Sequence, residues 1–229
     1  MSQSVPGYGP ASPPGSIPAP VGPVGLVLAS SSPRRIEMLR AAAIPHAVWP
    51  VDVDETPLVG ESAEAMVLRL SQSKADAAAG RAAAGATAGA AVLGADTIVV
   101  VDGTLLGKPP HEGAARQMLA LLSGRTHEVV TGYHLRYHGA EGGTLRRLGR
   151  AVRTQVRVRP LQPAETEGYL RSQEWRGKAG AYAIQGRFGC FVESIAGSFD
   201  NVVGLPLCQV IVDLHAAGAL PAGWPSWQP

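Results

Sequence analysis

Two segments that alternate with period two, THEVVTGYHLRYH (126–138) and AVRTQVRVR (151–159), flank a glycine-rich GAEGG (139–143). Alternation sends successive side chains to opposite faces of a sheet, and a short glycine-rich connection between two such runs reads as an antiparallel pair. The chain must therefore build a sheet with at least one antiparallel pairing. Its other segments mix apolar runs with helical stripes but lack strict strand–helix–strand repetition, and no internal repeat is apparent. That combination predicts the α/β class with a mixed sheet.

The remaining elements are read one by one. Residues 24–29 form a buried apolar run, and 33–43 read as a helix with Ser32 at its N-cap and Pro33 at its first position. AVWPVDV (47–53) resembles a second strand and leads into an acidic turn, DVDETP. Between 61 and 79, Ala63, Met66, Val67, Leu70 and Ala77 make one helical stripe. Lys74 falls on that stripe, so its stem packs while its amine either snorkels outward or points into a cleft. Residues 82–90 read as a loop or frayed helix end, and AVLGADTIVVVDG (91–103) as strand material broken by its polar Gly-Ala-Asp-Thr portion. A helix from about 111 to 123 should bury Ala115, Met118, Leu119 and Leu122 and stop at Gly124. A short helix after Pro163, a Gly-rich segment at 177–189, a strand CFVESI and a final helix after Pro206 complete the chain.

Composition narrows the function classes. With 229 residues, 45% of them hydrophobic, the chain can build a sizeable core. A formal net charge of +2 gives no case for a protein that coats nucleic acid. Cys190 and Cys208 stand far apart without CxxC or zinc spacing, which suits a reducing, cytoplasmic setting. His134 and His138 lie in an alternating strand, where a four-residue spacing is no helical metal pair. Residues 1–23 are rich in Pro and Gly, with neither the basic start nor the apolar core of a signal peptide. They are expected to be a disordered leader to one domain over 24–218, with a short tail at 219–229. No apolar stretch is long enough to span a bilayer, so no membrane partner is expected.

Five stretches carry chemistry. In LASSSPRR, a strand runs through hydroxyl residues into a helix whose first turn holds Arg34 and Arg35, where carboxylates are normally preferred. The unpaired N–H groups there make an anion site, and two guanidiniums add forks suited to phosphate; ordinary surface arginines are the other reading. The element is no Walker loop, since GxxxxGK[ST] is absent. Asp96, between apolar strand runs, needs hydrogen bonds, a cation or a metal ion if desolvated, or else caps a turn. Lys108 in LLGKPP stands at the end of the next apolar run, and ligands gather at such strand ends. Gln185 in the Gly-rich GKAGAYAIQGRFG offers both donor and acceptor for an amide-like base edge, or belongs to a flexible loop. Glu55, with Asp52 and Asp54, forms an acidic turn that is either solvated or able to hold Mg²⁺ beside a triphosphate.

Together these segments resemble the Maf family of nucleoside triphosphate pyrophosphatases. The resemblance covers residues 26–215 and rests on LASSSPRR, DVDETP, LSQSKA, LGADTIVV, LLGKP, LSGRTHEVVTG, KAGAYAIQG and NVVGLPL, in that order. It implies an elongated, two-lobed mixed-sheet fold, like that of inosine triphosphate pyrophosphatase, with a nucleotide cleft between the lobes. It also implies hydrolysis of a nucleoside triphosphate to the monophosphate and pyrophosphate, dependent on a divalent metal, Mg²⁺ or Mn²⁺.

By motif position, Asp96 would accept a proton or bind the metal, with Glu55 assisting the metal. Ser30, Arg35, Lys74 and Lys108 would hold phosphates. Arg34, Thr97 and Gln185 match the branch acting on dTTP and UTP rather than the one cleaving 7-methyl-GTP, which has a bulky aromatic in place of Arg34. Ala183 departs from the family's usual glycine, and its methyl is expected to shift the loop presenting Gln185. A homodimer is implied by resemblance alone. The alternative reading is a nucleotide-binding regulator of septum formation without significant turnover. Asp96, Lys74 and Lys108 together favour the enzyme. A phosphatase acting on other substrates is disfavoured by the Gln-bearing loop.

Overall fold

The computed structural model describes residues 25–82, 90–138 and 145–225. The leader, the end of the Ala/Gly-rich segment after Ala82, the GAEGG connection and the last four residues of the tail lie outside them. Strand β1 (Leu26–Ala29) leads into α1 (Pro33–Ala41), then β2 (Ala47–Val48) and α2 (Ala63–Ala82). Next come β3 (Ala91–Val101), β4 (Thr104–Leu106), α3 (Glu112–Leu122), β5 (Thr126–His138) and β6 (Leu145–Val158). The chain continues through α4 (Pro163–Arg171), β7 (Val192–Ala196), α5 (Phe199–Val203) and α6 (Leu207–Ala216). The strands form one mixed seven-stranded sheet in the order β2-β1-β3-β5-β6-β7, with β4 also on β3. The mixed α/β class is therefore as the alternating segments required. The hairpin is present, with β5 and β6 antiparallel from Thr126↔Arg157 to His138↔Leu145.

Three expectations are corrected. β3 is unbroken through Gly94-Ala95-Asp96-Thr97, because β5 pairs with it continuously from Val92↔Arg136 to Val100↔Glu128. The interruption lies on its other edge: β1 pairs with Leu26↔Ala91 through Ala29↔Gly94, and β4 only from Val99↔Leu106 onward. β2 is two residues long rather than seven; the Trp49 N–H still reaches Leu28 O at 2.9 Å, but the partner strand β1 ends at Ala29. On α2, Ala77 is exposed while Ala75 and Ala78 are buried. The helix crosses the sheet, packing Ala63 and Val67 on Ile98 and Val130, then Ala75 and Ala78 on Val27 and Val92.

Two glycines set how closely α2 approaches. A Cβ on Gly94 would lie 2.2 Å from Ser71 O, and one on Gly132 would lie 2.5 Å from Val67 O. Only the bare backbone of adjacent strands lets the helix sit this low, and that depth brings Lys74 to the sheet. The opposite face carries the larger core, where Leu26, Leu28, Leu93, Tyr133 and Leu135 pack with Leu39, Leu119, Trp175, Phe188 and Leu214. Helix α3 buries Ala115, Leu119 and Leu122 as its stripe predicts, with Met118 only half-buried. It starts at His111, whose side chain accepts from Ala114 N, and Gly124 follows it at φ 70°. Among the described residues, no helix is long and apolar enough to cross a membrane.

Candidate active site

The interrupted edge of β3 is where the chemistry-bearing residues meet. β1 runs parallel to β3 and delivers the chain past Ala29 to Ser30. β4 runs antiparallel and delivers it past Leu106 to Lys108. Both exits converge on Asp96 and Thr97, which have no strand neighbour on that side. Alternation then sends the two side chains to opposite faces of the sheet. A cleft of about 450 Å³ opens there, and its walls include Ser30, Arg34, Arg35, Glu55, Lys74, Asp96, Thr97, Lys108 and Gln185.

On the α2 face, Lys74 is no solvated snorkel; it is buried. Its Nζ donates to Asp96 Oδ1 at 2.6 Å and to Glu55 Oε1 at 2.6 Å, while Lys108 Nζ donates to the other Glu55 oxygen at 2.8 Å. Burial alone would raise the Glu55 carboxyl, but the hydrogen bonds from Lys108 and Lys74 outweigh it and hold it at about 2. Asp52 and Asp54 do not join the cluster. Both are exposed, and Asp54 Oδ1 accepts instead from Thr56 N at 2.9 Å.

On the other face Arg35 is buried, and burial lowers its pKa against the opposing pull of Asp96 and Glu55. Its Nε donates to Gly204 O at 2.7 Å, Nη1 to Ser30 Oγ at 3.3 Å and Nη2 to Thr97 Oγ1 at 2.9 Å. Thr97 Oγ1 lies 2.9 Å from Thr131 Oγ1, which donates its only proton to Asn201 O at 3.0 Å. Thr97 Oγ1 also lies 3.5 Å from Gly204 O, so its proton goes to Thr131 or to that carbonyl and is committed inside the protein either way. Arg34 Nε donates to Val203 O at 3.1 Å; burial and then the charge of Arg35 lower it to about 10. Among the described residues no carboxylate pairs with either guanidinium. Two desolvated cations without a carboxylate are a site built for an anion.

Sequence reasoning missed the element that supplies those carbonyls. Helix α5 has five residues, too few for a periodic stripe, and ends at Gly204 with φ 132°. Its N-cap Ser198 is a signal that could have found it, since Ser198 Oγ accepts from Asn201 N at 3.2 Å. Two more cleft residues escaped notice, Arg176 just before the Gly-rich segment and Lys178, the second residue of it. Burial and then Arg34 lower the pKa of Lys178. Gln185 is exposed at the cleft. Beneath its loop Tyr182 is hydrogen-bonded to His127 Nε2 at 2.8 Å, and burial lowers His127 to about 4, so the imidazole is neutral. Ala183 is buried and its N–H donates to the Tyr169 hydroxyl at 3.1 Å. The non-glycine residues with positive φ include Ala181 but not Ala183, so its methyl strains no backbone.

Glu55 and Asp96 each place an oxygen 2.6 Å from one ammonium, so the two carboxylates converge. Oxygen donors of this kind fit a hard divalent cation, and two carboxylates suffice when substrate phosphates complete the coordination. No group of three or more His, Cys, Asp or Glu residues able to hold a metal occurs among the described residues.

Comparison with known proteins gives consistent matches. The profile of the family described as "Maf-like protein" matches residues 25–217. The chain is 47% identical over 195 residues to the dTTP/UTP pyrophosphatase of Geobacter metallireducens, covering 85% of this chain and 97% of the relative. It is 47% identical over 193 residues to the protein of that name from Anaeromyxobacter sp., covering 84% and 89%. The protein of that name from Brucella abortus is 48% identical over 203 residues, covering 87% and 95%.

Proposed function

The chain belongs to the Maf family, and from that premise we propose that it is a nucleoside triphosphate pyrophosphatase acting on dTTP and UTP. The products are the nucleoside monophosphate and pyrophosphate. The observation that carries the reading is the fork at β3, where two carboxylates and two lysines face a pair of guanidiniums that lack carboxylate partners.

Hydrolysis of a phosphoanhydride needs positioning and charge neutralisation more than covalent catalysis. Arg35, pre-oriented by Gly204, Ser30 and Thr97, holds phosphate oxygens, and Ser30 stands beside it at the end of β1. Lys74 and Lys108 exchange part of their contact with Glu55 for the phosphates, which places ammoniums on the leaving pyrophosphate. Asp96 accepts the proton of the attacking water, the role of a positioned general base. A divalent ion, Mg²⁺ or Mn²⁺, held by Glu55 and Asp96 would supply Lewis-acid neutralisation of the phosphate oxygens. Thr97 acts through Arg35, because its proton is committed within the protein and its oxygen to the guanidinium.

Arg34 and Gln185 read the base. Uracil and thymine present two carbonyl acceptors around one N–H, which a guanidinium and an amide can match; cytosine replaces one of those acceptors by an amino donor, to which a guanidinium cannot hydrogen-bond. The test is a panel of UTP, dTTP, CTP, ATP and GTP with Mn²⁺, products separated by chromatography, for wild type and Arg34→Ala. Wild type should favour UTP and dTTP, and Arg34→Ala should lower kcat/KM for UTP relative to CTP by about 10-fold or more. An equal fall for all five nucleotides would make Arg34 a phosphate ligand instead.

A further inference from the structure

Glu55 sits on an exposed turn, yet both of its oxygens are placed within 3 Å of lysines on two different elements. Such placement needs something to hold the turn, and the hydrogen bonds identify it. Arg69, on α2 five residues before Lys74, donates from Nε to Glu61 Oε1 at 2.6 Å and from Nη2 to Glu61 Oε2 at 2.7 Å. The same Nη2 donates to the main-chain carbonyl of Thr56 at 3.1 Å, the residue next to Glu55. Glu61 Oε2 in turn accepts from Leu58 N at 3.1 Å, and its side chain is only 7% exposed. On the other flank, Asp54 fixes Thr56 N.

We infer that the Arg69–Glu61 pair is a positioning clamp for the reaction: it holds the turn at the Thr56 carbonyl and the Leu58 N–H so that Glu55 meets Lys74 and the metal. Helix α2 thereby carries both the residue that sets the turn and the lysine that the turn must meet. A bidentate guanidinium–carboxylate pair has the fixed geometry this needs, and a lysine at 69 could not reproduce it. The inference rests on the reading of Glu55 as a metal-holding carboxylate given above. Arg69 and Glu61 touch neither phosphate nor metal themselves. Their loss should therefore act only through Glu55.

The test uses the full chain as Arg69→Gln, Arg69→Lys, Glu61→Gln, Glu55→Gln and the double variant Arg69→Gln/Glu55→Gln. Mn²⁺ bound beside a non-hydrolysable UTP analogue is measured by loss of its free electron paramagnetic resonance signal, with thermal melting and UTP turnover in parallel. Arg69→Gln should weaken Mn²⁺ binding about 10-fold, the scale of losing a group that orients a ligand, with the KM for UTP at saturating Mn²⁺ nearly unchanged. Arg69→Lys should restore little of it. In the Glu55→Gln background the Arg69 substitution should have no further effect on Mn²⁺. If Arg69→Gln melts too low to measure, Glu61→Gln takes its place with the same expectation.

Normal Mn²⁺ binding in both folded Arg69→Gln and Glu61→Gln would overturn the clamp while leaving Glu55 in place. An effect of Arg69→Gln that adds in full to that of Glu55→Gln would also overturn it. Unchanged Mn²⁺ binding in Glu55→Gln would overturn the reading of Glu55 itself, and the clamp with it.

Discussion

Asp96→Asn should give a folded protein that releases pyrophosphate from UTP at least about 10²-fold more slowly than wild type, the lower range for loss of a general base. The substitution keeps an oxygen where Lys74 Nζ now donates at 2.6 Å, so the local hydrogen bond survives. It removes the negative charge and the basic oxygen that takes the proton of water. Nucleotide binding should persist, because Arg35, Lys74 and Lys108 are untouched. Calorimetric binding of a non-hydrolysable UTP analogue, measured beside turnover, separates the two. Near-normal turnover by a folded Asp96→Asn protein would remove Asp96 from the chemistry. Lost binding with an intact fold would make it a ligand for metal or substrate instead.

The second large effect falls on stability as well as turnover. Lys74→Met keeps a stem that packs on α2 but takes away the ammonium shared by Glu55 and Asp96. The Asp96 side chain is only 10% exposed, so it is left as a buried charge without its partner. Breaking such a pair costs about 3–5 kcal/mol. The unfolding free energy should fall by that order, and turnover should fall at least about 10²-fold, because the pyrophosphate also loses an ammonium. Adding Asp96→Asn should recover part of the stability, since the stranded charge is then gone; such coupling is the mark of a direct pair. A Lys74→Met protein as stable as wild type would mean that the ammonium contributes nothing to holding the carboxylates.

The site was legible where local pattern carries it. Ser32, Pro33 and the following arginines announce a helix start that prefers an anion, and α1 begins at Pro33 with no acidic residue in its first turn. The hairpin of β5 and β6 was equally plain, because alternation persists along both strands. What could not be read depends on partners distant in sequence. β3 looks broken at Gly94 and Asp96, yet β5 pairs with it along the whole of that stretch, and pairing overrides local polarity. The polar residues fall there because the other edge is left open between β1 and β4. Arg35 is oriented by a carbonyl 169 residues away, on a helix too short to show periodicity. Lys74 could not be told from a snorkelling lysine until Gly94 and Gly132 showed how closely α2 lies on the sheet. Arg69 and Glu61 look like ordinary surface charges until their shared contact with the Glu55 turn is seen.

The central claim is that water cleaves the bond between the α and β phosphates in this cleft. The direct measurement is ³¹P nuclear magnetic resonance of UTP incubated with the purified protein and Mg²⁺, quenched with excess chelator before acquisition. The account predicts resonances of UMP and pyrophosphate growing in equal amounts, with neither UDP nor inorganic phosphate formed. UDP and inorganic phosphate as the primary products, or no consumption of UTP or dTTP with either Mg²⁺ or Mn²⁺, would contradict it.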